Sequence, residues 1–82
     1  MSSASPQEIA AEARQVRRLQ MMMDLVLSAI RQNEAMTIEE AGELVASARR
    51  AALRLFPEKE LAYDLIYRPR FQRLLAEKYR LQ

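Results

Sequence analysis

The densest run of charge in this chain is Arg68-Pro69-Arg70-Phe71-Gln72-Arg73, with Lys78 and Arg80 close behind it. Cationic groups at this density suit phosphate oxygens, and arginine can also reach base edges. Arg68, Arg70, Arg73, Lys78 and Arg80 are therefore candidate contacts for nucleic acid or another anion. Glu77 stands four residues after Arg73 and three before Arg80, at spacings where side chains on one helix pair, so part of this charge is neutralised internally. Nucleic-acid binding is the second of two functional readings.

The other groups with chemical potential read as structural. Glu60 and Asp64 are four residues apart, as are Glu39 and Glu43. Paired carboxylates can hold a hard cation or share a proton, but a di-iron bundle site also needs histidines. These pairs read as solvated surface. Tyr63 and Tyr67 lie one helical turn apart and Tyr79 follows; such tyrosines pack their rings and leave their hydroxyls wet. Ser28 and Ser47 have no histidine to activate them. The chain has no histidine, no cysteine and one glycine, Gly42. The commonest general base, the strongest nucleophile, the usual zinc ligands and any glycine-rich phosphate loop are thus missing together. No enzymatic activity, cofactor or metal is expected.

Eighty-two residues make one domain, spanning 1–82, with 1–4 as a frayed start. Half the residues are apolar and 29% are charged, the composition of a folded chain rather than a disordered one. The net charge of +2 is too small to demand a polyanionic partner. No apolar run approaches the ~20 residues a bilayer requires. Residues 19–30 do not make a secretory leader, because Asp24 interrupts them and no small-x-small site follows. A cytoplasmic protein with no membrane partner is expected.

Punctuation predicts an all-α fold. Ser5-Pro6 with Glu8, and Thr37 with Glu40, are capping-box starts. Pro57 and Pro69 open two further segments. The spacing predicts a long helical hairpin, 6–33 and 38–55, joined by a short connection. Two short C-terminal helices follow, 58–67 and 70–80, separated by a proline kink at Arg68-Pro69; the sequence allows them to be separate or one bent helix. The short connection makes the first two helices antiparallel neighbours. Their inward faces are expected at Ile9, Ala13, Val16, Leu19, Met23, Val26 and Ile30, and at Ile38, Ala41, Val45, Ala48, Ala52 and Leu55. Gly42 and the alanines of the second helix are expected to let a neighbour approach closely. Leu61, Leu65 and Ile66, then Phe71, Leu74, Leu75 and Tyr79, are expected to face inward from the C-terminal pair.

Two features point to association. From Met21 to Ile30 only Asp24 and Ser28 are polar, so this stretch is apolar nearly all round and must be covered on several sides. A first helix of this length is also ~40 Å long, against a diameter of roughly 30 Å for a ball of 82 residues. Either the fold is elongated, or the helix breaks, or part of it packs on another molecule. The favoured function is non-enzymatic, helix-mediated protein association, most simply a homodimer. The expected interface is Met22, Met23, Val26, Leu27 and Ile30, against a second copy or another protein.

Overall fold

The computed structural model describes residues 5–80. The expected frayed start at 1–4 lies outside the described residues. Two long helices, α1 (Pro6–Gln32) and α2 (Ile38–Leu55), form the hairpin. A continuous helical stretch then runs back along them. It begins with a 3-10 turn at Pro57–Lys59, passes through one α-helical turn, α3 (Glu60–Ala62), and a π-helical stretch at Tyr63–Tyr67, and ends in α4 (Arg68–Tyr79). No strand occurs among the described residues.

Both long helices start where their caps dictate. Ser5 Oγ accepts from the Glu8 N–H at 3.1 Å, and Glu8 accepts from the Ser5 N–H at 3.3 Å. Thr37 and Glu40 repeat the exchange at 3.1 and 3.0 Å. Each box satisfies two amides that a helix start leaves unpaired. Asn33 ends α1, sending its N–H to the Ala29 carbonyl, while its side-chain oxygen accepts from the Ala35 N–H at 3.1 Å. That local turn reverses the chain within five residues.

The expected kink takes the form of a widened turn, and the chain stays helical through it. Pro69 has no N–H, and its ring collides with the carbonyl four residues back in a regular helix. The π stretch immediately before it avoids this, because the Arg68 N–H reaches back five residues to the Tyr63 carbonyl. Local insertions of this kind keep a helix continuous across a proline. The two predicted C-terminal helices are therefore joined.

The core is one cluster running between the three rods: Leu19, Met23, Leu27 and Ile30 from α1, Ala41, Ala48 and Ala52 from α2, then Tyr63, Tyr67, Phe71 and Leu74. The small residues of α2 let the helices close on one another, and the aromatic rings fill the space opposite. Tyr63 lies 5.9 Å from Tyr67 and 6.5 Å from Phe71, centroid to centroid, within the range of favourable aromatic pairs.

Several expected inward positions are corrected. Leu61, Leu65 and Ile66 are 71%, 68% and 45% exposed, while Tyr63 and Tyr67 occupy the core. Continuity with α4 is the reason: one rod has one core face, and Phe71 and Leu74 set its phase. Leu55, at the end of α2, is also exposed. Ile9, Ala13 and Val16 of α1 are exposed as well. Gly42 has no close neighbour; a methyl built there would meet nothing within 4 Å.

The shape follows from α1. The molecule measures 50 × 21 × 17 Å, with a radius of gyration of 15.0 Å, against ~12 Å for a compact chain of this length. Of the three options for the long first helix, the protein adopts elongation. No helix among the described residues is long and apolar enough to cross a membrane.

Candidate functional site

The five residues expected to form an association surface are occupied within the protomer. Met23 and Ile30 are fully buried and Leu27 nearly so; Met22 and Val26 are half-buried against the same cluster. The joined C-terminal rod and α2 together cover α1 over this stretch. Met23, Leu27 and Ile30 are therefore core, while Met22 and Val26 keep part of their surface in solvent.

Free apolar surface lies on α1, at Met21 and Leu25, and on the C-terminal rod. From Leu61 to Tyr67 the sequence is Leu-Ala-Tyr-Asp-Leu-Ile-Tyr. Its only charged side chain, Asp64, is spent on an internal contact: its two carboxylate oxygens accept from Arg49 Nε and Nη2, each at 3.3 Å. The same Nη2 donates to Glu60 at 3.0 Å. The Glu60–Asp64 pair thus clamps a guanidinium from α2, and the two carboxylates hold that guanidinium more firmly protonated than usual. With Tyr63 and Tyr67 in the core, Leu61, Leu65 and Ile66 stand in solvent.

The five candidate anion contacts do not share a face. Lys78 is structural: its ammonium donates to the carbonyls of Ile30 and, at 2.7 Å, Asn33. It caps the C-terminal end of α1, where unpaired carbonyls favour a cation. Tyr79 adds to this closure, its hydroxyl donating to the Met36 carbonyl at 2.8 Å. Arg80 is exposed in a left-handed conformation, φ 52°, just beyond α4. Arg70 and Arg73 line a groove of about 390 Å³ between α1 and α4, with Arg31, Asp24 and Glu77. The Arg70 guanidinium lies 5.6 Å from the Tyr67 ring centroid. Two carboxylates among three guanidiniums make this a mixed surface.

Arg68 turns to the other side of the rod. It borders a groove of about 220 Å³ between α2 and α4, with Gly42, Val45, Arg49, Tyr63, Phe71, Gln72 and Leu75 among its walls. Tyr63 contradicts the expectation of a wet hydroxyl: its oxygen is buried and has no hydrogen-bond partner. Burial pushes the phenol's pKa up, against the pull of the nearby Arg49 charge. Among the described residues, no group of three or more acidic, histidine or cysteine side chains gathers into a metal site.

No family model, curated protein or solved structure matches this chain.

Proposed function

We propose that this protein acts by helix-mediated self-association, without chemistry of its own, through the apolar surface at Leu61, Leu65 and Ile66. The carrying observation is that the 61–67 segment is apolar on both its faces, and only one face is covered within the protomer. A helix of that character needs cover on a second side.

Surface area supports a second copy as the cover. A folded monomer of 9.5 kDa is expected to expose about 5,000 Å². This chain exposes 6371 Å². The excess is larger than the roughly 800 Å² that each partner loses at an interface of standard size. The core also contains three alanines among its eleven buried residues, so the protomer alone is thinly stabilised. Oligomerisation is the remaining common aid to a small domain with no disulfide or Cys/His metal site. A two-fold arrangement would place the same patch of each copy in contact.

The nucleic-acid reading has weaker support. It retains Arg70, Arg73 and Arg80, but loses Lys78 to the cap on α1 and Arg68 to the opposite groove.

Light scattering on wild type and on Leu61→Glu/Leu65→Glu tests the proposal. Both sites are exposed, so the double variant should keep its helical circular dichroism. Self-association through this surface requires the wild type to form a dimer and the variant to run as a monomer. A dimeric variant would place the interface elsewhere.

A further inference from the structure

The groove between α2 and α4 has the elements of a small-molecule site. Its lining includes four apolar side chains, Val45 and Ala46 from α2 and Phe71 and Leu75 from α4. Gly42 also lines it, and a methyl there would meet no neighbouring side chain within 4 Å. The same groove is also lined by Tyr63, Arg68 and Gln72, all potential hydrogen-bond donors.

Three facts set these donors apart from ordinary surface groups. The Tyr63 hydroxyl is buried with no partner, a condition that few native side chains tolerate without a reason. Arg68, unlike Arg49, makes no ion pair among the described residues. The π stretch is what brings the two together. In a straight α-helix positions 63 and 68 would stand about 140° apart. Here the Arg68 N–H closes on the Tyr63 carbonyl, the wider turn narrows that separation, and both residues border the same groove. Insertions of this type recur at functional sites.

We infer that this groove binds a small monocarboxylate with an apolar body. The apolar body lies against Val45, Phe71 and Leu75, and the carboxylate accepts from the Tyr63 hydroxyl, Arg68 and the Gln72 amide. Arg49 is already committed to Glu60 and Asp64 and serves as a fixed wall. The volume, about 220 Å³, is below the roughly 300–1,000 Å³ of pockets for larger ligands, which limits the occupant to a short alkyl or single-ring acid. Arg68 and Gln72 are exposed, so their side chains can rearrange to admit the carboxylate without moving the backbone.

The test is a methyl-resonance titration of the wild-type protein with octanoate, and separately with octan-1-ol. Octanoate should shift Val45 and Leu75, and octanol should bind at least tenfold more weakly. Tyr63→Phe and Arg68→Gln should each weaken octanoate about tenfold, the loss expected for one hydrogen bond to a charged group. Gly42→Leu, at an exposed helix position, should fill the groove and abolish the shifts while the fold is retained. Equal binding of the acid and the alcohol, shifts confined to Leu61 and Leu65, or full affinity in Tyr63→Phe would each overturn the assignment.

Discussion

The backbone N–H of Arg68, the residue before Pro69, donates to the carbonyl of Tyr63 five residues earlier. This single bond joins what the sequence presents as two helices. It also holds the Tyr63 ring in the core and brings Arg68 onto the side of the rod where Tyr63 borders a groove. The local helix geometry, the packing and the candidate ligand site meet at these two residues.

Removing the Tyr63 hydroxyl should stabilise the ligand-free protein. The oxygen is buried without a partner, and leaving such a group unpaired costs about 1–3 kcal/mol. Tyr63→Phe keeps the ring, and with it the contacts to Tyr67 and Phe71. Urea denaturation should show a gain of about 1 kcal/mol. A loss of stability would mean that the hydroxyl has a partner in solution.

Lys78→Met should destabilise. The variant keeps the apolar stem but leaves the Ile30 and Asn33 carbonyls without their cation. A loss of about 1–2 kcal/mol is expected, in line with a charged hydrogen bond at a helix C-terminus. If Lys78 were a surface cation held for an anionic ligand, its removal would leave the denaturation midpoint unchanged.

The triple methionine and its neighbours separate core from surface. Met23 is fully buried and Leu25, two residues on, is 73% exposed. Met23→Ala should cost about 2–5 kcal/mol, and Leu25→Ala less than about 0.5 kcal/mol. Thermal melts of the two variants read this directly. Val26→Asp, at a half-buried site packed on the same cluster, should unfold the protomer before it reports on any interface.

The second capping box should contribute to acid sensitivity. Hydrogen bonds from the Thr37 backbone and side chain hold the Glu40 carboxyl below its usual pKa. A carboxylate depressed in the folded state adds stability above its unfolded pKa and loses it as pH falls through the folded value. Glutamine can accept the same bond without titrating. The stability difference between wild type and Glu40→Gln should therefore shrink as pH drops from 7 toward 2. A gap that stays constant with pH would exclude the carboxylate charge as its source.

The sequence made some of this structure legible because some of it is local. Both long helices are bounded by caps whose partners lie three residues away, Ser5 with Glu8 and Thr37 with Glu40, and such pairs can be read from spacing alone. The phase of residues 61–67 could not be read this way. With apolar side chains all round, periodicity allows either Leu61 and Leu65 or Tyr63 and Tyr67 to face inward. Only the joining of this segment to α4 decides between them, and that depends on a π turn with no spacing signature of its own. Lys78 was opaque for another reason: the carbonyls it caps are 48 and 45 residues away in sequence. The apolar excess in α1 was visible, but its cover came from the folded-back rod. Apolar surface is left uncovered on that rod at Leu61, Leu65 and Ile66, and on α1 at Met21 and Leu25.

The mass of the wild-type protein in solution, by sedimentation equilibrium over a range of concentrations, tests self-association most directly. A species of twice 9.5 kDa that dissociates only on dilution is the expected result. A single species of 9.5 kDa at every concentration would contradict it.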